Sequence, residues 1–321
     1  MTEPLLAVEG LRVAFETPGG LVRAVDGVSL AVGAGECLGI VGESGSGKSV
    51  TFSAVMGLVR PPGRIDGGSI RFAGRELVGL GAAEWRALRG RDVAMTLQDA
   101  QTSLNPALTV GTQITEVLRA HGDTRATARD RAVEMMRLVG IPAAERRLGD
   151  YPHQFSGGMR QRMMIAIALS CRPRLLIADE PTTALDVTIQ AQVLDLIAEI
   201  RTRLGMSVVL ITHDLGVVAE HCDRVAVMYA GQVVESGITA EVIAAPRHPY
   251  TAGLLRSVPL LSDLDRPIRP IPGQVPDLRA LPPGCRFAPR CEWAGPGCDA
   301  AVAMREAGGR QVRCVLAEAP A

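Results

Sequence analysis

Residues 42–49 form a pattern suited to binding phosphate groups, because they read G-E-S-G-S-G-K-S directly after the apolar run 37–41. This is the G-x-x-x-x-G-K-S pattern of a loop that joins a strand to a helix. Gly42, Gly45 and Gly47 let the backbone curl so that its N–H groups face phosphate oxygens, and the following helix adds its positive N-terminal dipole. The pattern predicts a phosphate site and leaves kinases, GTPases and ATPases open.

The loop contains Lys48, the one lysine among 34 basic residues. Arginine stands at every other basic position, so a lysine retained here indicates a site that needs a compact point charge rather than a planar fork. Lys48 can reach β- and γ-phosphates, and the hydroxyl of Ser49 can bind Mg²⁺.

Two carboxylates follow a second apolar run. Residues 175–178 (L-L-I-A) are typical of a buried parallel strand, and Asp179 and Glu180 stand at its carboxyl end. Ligands of parallel sheets bind at that edge. Asp179 is placed to hold a Mg²⁺ shell and Glu180 to polarise an attacking water, which favours hydrolysis.

A glycine pair opens a predicted helix between these two patterns. Residues 155–162 read F-S-G-G-M-R-Q-R. Ser156 is a typical N-cap, and Gly157 and Gly158 leave backbone N–H groups open to approach. Alone, this segment is also compatible with an ordinary helix start.

The order of the motifs closely resembles the nucleotide-binding subunit of ATP-binding-cassette (ABC) transporters. The motifs are the phosphate loop, Gln98, the Ser-Gly-Gly segment, Asp-Glu, the A-L-D at 184–186 and His213, over about residues 5–245. Met159 departs from the commonest family form, which has Gln there. The resemblance implies an α/β fold: a P-loop NTPase (RecA-like) core of an ABC nucleotide-binding domain with a β-subdomain and a helical insert, plus a loop-rich C-terminal extension.

The resemblance implies an ATPase that binds ATP and Mg²⁺ and works as a head-to-tail dimer. Phe15 resembles the aromatic residue that lies against adenine, and a core position fits it nearly as well. The implied catalytic residues are Glu180, His213, Lys48 and Gln98. The implied Mg²⁺ ligands are Ser49, Gln98 and Asp179. The implied ATP contacts are Phe15, Gly42, Ser44, Gly45, Gly47, Lys48 and Ser49, and across the dimer Ser156, Gly157, Gly158 and Asp186.

Three segments narrow the resemblance to the dipeptide/oligopeptide/nickel importer branch. They are residues 98–106, which end in S-L-N-P, residues 180–192, and R-H-P-Y-T at 247–251. The branch commonly has Pro-Met where Ala100 and Gln101 stand here. The resemblance implies a subunit that powers import of di- or oligopeptides. A nickel or glutathione-like solute, and a soluble ABC ATPase acting on ribosomes or DNA, are the alternatives.

The C-terminal part of the chain contains a group of four cysteines: Cys285, Cys291, Cys298 and Cys314. A cytoplasmic chain does not rely on disulfides, so the group favours a metal. The spacing lacks the C-x₂-C of zinc ribbons, and some members of the resembled branch carry a [4Fe–4S] cluster in this extension. An iron–sulfur cluster is the first expectation, with zinc or free thiols as alternatives. Arg286 and Arg290 are expected to lower the pKa of these thiols.

These motifs have to be positioned by one α/β core with an insertion. We predict an ABC nucleotide-binding domain at 1–245, with a helical subdomain at about 99–162, and an extension of the oligopeptide-importer type at 246–321. Within the core, residues 187–204 place apolar side chains on one face, as in a helix that covers a sheet.

Composition excludes several other classes. The 34 Lys and Arg balance 34 Asp and Glu, so a net charge of +0 argues against a nucleic-acid partner. No apolar run approaches the roughly 18 residues of a membrane span, and the first residues show no secretory signal. We therefore expect a cytoplasmic chain, and the resemblance implies that it lies peripherally on the cytoplasmic face of the inner membrane. The resemblance implies as partners two transmembrane permease subunits, a second ABC ATPase subunit in a heterodimer, and an extracytoplasmic solute-binding protein.

Overall fold

The structure is a computed structural model and describes residues 3–97, 103–183, 185–257 and 269–316. The described chain divides into two compact units. The first is Met1–Val78 with Thr212–Ala321, and the second is Gly79–Ile211.

In the described residues the strands are β1 (Leu6–Thr17), β2 (Gly20–Val32), β3 (Cys37–Val41), β4 (Gly63–Phe72), β5 (Arg75–Glu76), β6 (Val93–Thr96), β7 (Leu175–Asp179), β8 (Ser207–Thr212), β9 (Arg224–Tyr229), β10 (Gln232–Ile238), β11 (Arg305–Ala307) and β12 (Arg310–Val312). The helices are α1 (Lys48–Val55), α2 (Ala82–Leu88), α3 (Val110–Ala120), α4 (Arg125–Leu138), α5 (Ala144–Arg147), α6 (Gly157–Leu169), α7 (Val187–Leu204), α8 (Leu215–His221), α9 (Thr239–Ala244) and α10 (Pro249–Ser257). Short 3₁₀ turns lie at Pro152–Gln154 and Ala288–Arg290.

The first unit contains an antiparallel sheet in the order β2-β1-β4-β5 and a run of five strands in the order β11-β12-β10-β9-β3. Strand β3 is parallel to β9, pairing Leu38 with Arg224, and every residue of β3 is buried. Strand β12 pairs with β10 by matching Glu235 with Val312. The C-terminal extension therefore adds strands to the sheet whose β3 leads into the phosphate loop.

The second unit contains the parallel strands β8, β7 and β6 in that order. Strand β7 pairs with β6 through Val93 and Leu175, and with β8 through Leu175 and Ser207. All five residues of β7 are buried, because helices cover both faces of such a sheet. Helices α3, α4 and α6 pack on one another in this unit.

The predicted α/β fold is confirmed, and the apolar pattern at 187–204 forms a helix as predicted. Helix α7 has the predicted bounds, and its buried face includes Val193, Ile197 and Ile200. In the part of the chain that the structure describes, no helix is long and apolar enough to span a bilayer.

Candidate nucleotide-binding site

The phosphate loop joins the buried strand β3 to helix α1, whose N-cap is Gly47. Gly42, Gly45 and Gly47 all have positive φ angles, of 155°, 78° and 97°. A β-carbon at Gly42 would lie 2.1 Å from the carbonyl oxygen of Met228, and one at Gly47 would lie 2.5 Å from that of Ala24. Glycine is required at these two positions by close backbone neighbours as well as by conformation.

Lys48 is buried at the first position of α1, with 6% of its surface exposed. Its Nζ donates to the carbonyl oxygens of Gly42 at 2.6 Å and Glu43 at 3.0 Å. The ammonium is thus held over the loop at the positive end of the helix. Ser44, Gly45 and Ser49 are exposed, so the loop presents its hydroxyls and its Gly45 backbone to solvent.

The first unit also contains Phe15 and His213. Phe15 lies in β1, is half-buried, and sits opposite Gly63, where a β-carbon would come within 2.5 Å of its ring. The role of Phe15 at adenine stays a prediction. His213 directly follows β8 and is exposed, and the adjacent Asp214 caps α8 by accepting from the N–H of Gly216 at 2.7 Å.

In the second unit, Asp179 is the last residue of β7 and is 6% exposed. Glu180 follows with a φ of 44°, and its N–H donates to the carbonyl oxygen of Ile211 at 2.9 Å. Its Oε2 accepts from the hydroxyl of Thr183 at 3.0 Å. A non-glycine residue held in the left-handed region by two contacts is typical of a functional position.

Ser156 is the N-cap of α6, and its Oγ accepts from the N–H of Met159 at 3.4 Å. A β-carbon at Gly158 would lie 2.7 Å from Cγ2 of Ile189 in α7. Gly158 therefore also permits close helix packing, a role that the sequence pattern did not reveal. Met159, the departure from the family form, places its Sδ 3.8 Å from Nη1 of Arg147.

Asp186 is exposed and caps α7, because its Oδ1 accepts from the N–H of Ile189 at 2.9 Å. The next residue, Val187, is 84% exposed although apolar. The remaining candidate, Gln98, lies outside the described residues. For Mg²⁺, which prefers oxygen ligands, the first unit offers the hydroxyl of Ser49, and the second unit offers the carboxylate of Asp179.

The R-H-P-Y-T segment is anchored to β10 by a buried carboxylate. Glu235 is fully buried, and its two oxygens accept from the N–H groups of Arg247 and His248, each at 2.9 Å. Burial raises the pKa of Glu235. His248 Nδ1 accepts from the N–H of Tyr250 at 3.0 Å, and burial lowers the pKa of His248 to about 3. This segment therefore fixes the start of α10 on the sheet.

The four C-terminal cysteines line one cavity, together with Phe287 and Trp293: they are Cys285, Cys291, Cys298 and Cys314. All are free thiols. Nevertheless, in residues 3–97, 103–183, 185–257 and 269–316 no three metal-ligating side chains gather closely enough to hold an ion. The iron–sulfur cluster thus stays a prediction.

The expected effect of the neighbouring arginines on these thiols was wrong. Burial raises the pKa of Cys285, Cys291 and Cys314. The guanidinium of Arg286 pairs instead with Asp26, and that of Arg290 pairs with Glu43 of the phosphate loop. Each arginine is therefore engaged by a carboxylate rather than by a thiolate.

Comparison with known proteins agrees with these motifs. The family model described as ABC transporter matches residues 25–183, and the model of the oligopeptide/dipeptide transporter C-terminal region matches residues 234–298. A putative peptide import ATP-binding protein of Brucella abortus is 52% identical over 313 residues, which cover 94% of this chain and 93% of that protein. The oligopeptide transport ATP-binding protein OppD of Bacillus subtilis is 53% identical over 293 residues, covering 90% of this chain and 82% of that protein.

Two solved structures share the fold with a TM-score of 0.65. The dimeric, post-hydrolysis ATP-binding cassette MJ0796 bound to ADP and Pi is 25% identical and covers 73% of this chain and 98% of its own. CbiO1 from Clostridium perfringens is 27% identical and covers 76% of this chain and 92% of its own. The chain therefore belongs to the ATP-binding subunits of ABC transporters, which are ATPases, and within them to the branch that carries the oligopeptide/dipeptide transporter C-terminal region.

Proposed function

We propose that this chain hydrolyses ATP to power the import of di- or oligopeptides through separate membrane permease subunits. The observation that carries the proposal is identity of about 50% to peptide import ATP-binding proteins over more than nine-tenths of the chain. The described structure supports it with a phosphate loop that holds Lys48 at the N-terminus of α1.

The proposed chemistry follows from the residues. Lys48 offsets the negative charge that develops on the transferred phosphoryl group, and the loop N–H groups hold the phosphates. Mg²⁺, when bound, neutralises further charge on the phosphates, with Ser49, Gln98 and Asp179 as its proposed ligands. Glu180 orients the attacking water, and His213 contacts the γ-phosphate.

We propose a head-to-tail dimer in which Ser156, Gly157, Gly158 and Asp186 of one subunit complete the other subunit's site. The exposed Ser156 and Asp186 support this role, and so does the exposed apolar side chain of Val187. The partners are a second ABC ATPase, two permease subunits and a solute-binding protein. The complex places the chain on the cytoplasmic face of the inner membrane, with residues 1–245 as its nucleotide-binding domain and 246–321 as the extension.

The test is affinity purification of the tagged chain from detergent-solubilised membranes, followed by mass spectrometry of the retained proteins. We expect two multi-span permeases and a second cassette protein. Uptake of a labelled tripeptide should be lost in a strain that carries Glu180→Gln and kept in one that carries Glu199→Gln, since Glu199 is an exposed glutamate of α7. Recovery of ribosomal or DNA-repair proteins alone, or loss of nickel or glutathione uptake with intact peptide uptake, would contradict the proposal.

We also propose that the four C-terminal cysteines bind an iron–sulfur cluster. Their convergence on one cavity supports this. A bound cluster would cross-link the segments that contain these cysteines: Cys285, Cys291, Cys298 and Cys314.

Metal analysis of the anaerobically purified chain is expected to give about four iron and four sulfide per chain. Cys291→Ser should lose this iron, and the control Cys171→Ser, outside the group, should keep it. Stoichiometric zinc, or no metal in the parent chain, would refute the cluster and leave the ATPase proposal untouched.

A further inference from the structure

Glu43, the second residue of the phosphate loop, is held by two side chains of the C-terminal extension. The N–H of Glu43 donates to Oη of Tyr250 at 2.9 Å, and Tyr250 is fully buried in α10. The carboxylate of Glu43 accepts from Nη1 of Arg290 at 2.7 Å and from Nη2 at 3.0 Å. Both the backbone and the side chain of this loop residue are therefore fixed from outside the loop.

Arg290 is itself fixed in place. Its side chain is 5% exposed, its Nε donates to the carbonyl oxygen of Pro272 at 2.8 Å, and its Nη1 lies 3.3 Å from the hydroxyl of Tyr229. An arginine guanidinium keeps its positive charge in proteins, so Glu43 faces a permanent cation. Two hydrogen bonds from a buried arginine offset the negative charge of the carboxylate and also fix its orientation.

The charge of Glu43 affects nucleotide binding because the residue lies in the phosphate loop. Its carboxylate belongs to a loop that binds a triphosphate, and 31% of its side chain is exposed. Two like charges a few ångströms apart near a protein surface repel each other. Glu43 also shares the loop with Lys48, whose Nζ lies 3.0 Å from the Glu43 carbonyl oxygen. An unpaired carboxylate at this position would repel the phosphates of ATP. It would also compete with them for the ammonium of Lys48.

We propose that Arg290 is a positioning residue of the nucleotide site, which acts through Glu43 by neutralising its carboxylate and holding it away from the phosphates. Tyr250 fixes the N–H of the same residue. The inference rests on ATP binding by the loop and is independent of the transported solute and of any metal at the cysteines.

A double-mutant cycle on the full chain tests the inference. Arg290→Gln, Glu43→Gln and the double variant are compared by binding of a fluorescent ATP analogue and by KM and kcat. At low salt, Arg290→Gln should weaken ATP binding roughly tenfold and raise KM equally, with kcat at saturating ATP within about twofold. Glu43→Gln should bind ATP at least as tightly as the parent. In its background, Arg290→Gln should change binding less than about twofold.

The matched control is Arg279→Gln, because Arg279 pairs with Asp277 in the same extension but on the surface. It should bind ATP as the parent does. If Arg290→Gln does not fold, as judged by thermal unfolding, Arg290→Lys replaces it in the cycle. Arg290→Lys should show a smaller loss of ATP affinity, and adding Glu43→Gln should again remove that loss. ATP affinity unchanged by Arg290→Gln, or a tenfold loss that persists beside Glu43→Gln, would overturn the proposal.

Discussion

The ammonium of Lys48 lies 2.6 Å from the carbonyl oxygen of Gly42, so the backbone of the phosphate loop holds the side chain of its own lysine. The chain's one lysine is thus the residue whose small, tetrahedral head fits among loop carbonyls, where a planar guanidinium does not.

Lys48→Arg should therefore weaken ATP binding by more than about tenfold, although it keeps the positive charge. The measurement is equilibrium binding of a fluorescent ATP analogue, with Lys48→Met as the comparison and thermal unfolding as the control for folding. If Lys48→Arg binds ATP like the parent while Lys48→Met does not, charge alone is sufficient and the geometric argument is wrong.

Glu180→Gln should retain ATP binding and lose hydrolysis by roughly two to three orders of magnitude, the usual contribution of a general base. The amide still accepts the hydrogen bond from Thr183, so the strained backbone at this position is preserved. Phosphate release measures hydrolysis, and size-exclusion chromatography with ATP is expected to reveal a trapped dimer.

The matched control for this prediction is Glu199→Gln, an exposed glutamate of α7. It should hydrolyse ATP at the parental rate. Hydrolysis by Glu180→Gln at near-parental rates would remove the proposed role of Glu180.

The sequence was sufficient to predict those parts of the site that local hydrogen bonds and periodicity determine. The left-handed turns at the loop glycines and the N-cap Ser156 depend on neighbours within a few residues, and the strand before Asp179 is a continuous apolar run, so these patterns are visible along the chain. The bounds of α7 followed from its apolar face for the same reason.

Contacts between distant residues were not visible. Arg290 is 247 positions from Glu43, and its nearest sequence neighbour is a cysteine, which favoured an effect on thiol pKa that the structure contradicts. The need for Gly158 depends on the approach of Ile189 from another helix. Which of two available partners a side chain takes is decided by packing, and spacing alone carries no information about it.

Two loop glycines should respond differently to alanine. At Gly42 a β-carbon would meet the carbonyl oxygen of Met228 at 2.1 Å, so Gly42→Ala should lower the free energy of unfolding by about 3 kcal/mol or more. Gly45 has a φ of 78° but no atom within 4 Å of such a β-carbon, so Gly45→Ala should lower it by about 1 kcal/mol. Urea denaturation measures both, and equal losses would argue against the backbone clash.

His248 should make the stability of the first unit depend on pH. Its Nδ1 accepts a hydrogen bond from the N–H of Tyr250, and burial lowers its pKa to about 3, whereas the unfolded chain has a pKa near 6.5. The unfolded state therefore binds a proton below pH 6.5 that the folded state does not bind. The contribution of His248 to the free energy of unfolding is complete above pH 6.5 and decreases with falling pH until about pH 3. The free energy of unfolding should therefore fall by about 2 kcal/mol between pH 7 and pH 5.

The measurement is urea unfolding at pH 7 and pH 5, followed by the fluorescence of Trp293 in a Trp85→Phe background, since these are the two tryptophans of the chain. His248→Asn keeps an acceptor oxygen near the position of Nδ1 but cannot titrate. Between pH 7 and pH 5 its free energy of unfolding should therefore fall by about 2 kcal/mol less than that of the parent. Comparing the two removes the contribution of Glu235, which both contain. The exposed His153 supplies the control His153→Asn, which should behave as the parent. Equal losses in the parent and in His248→Asn would show that another group governs the acid sensitivity.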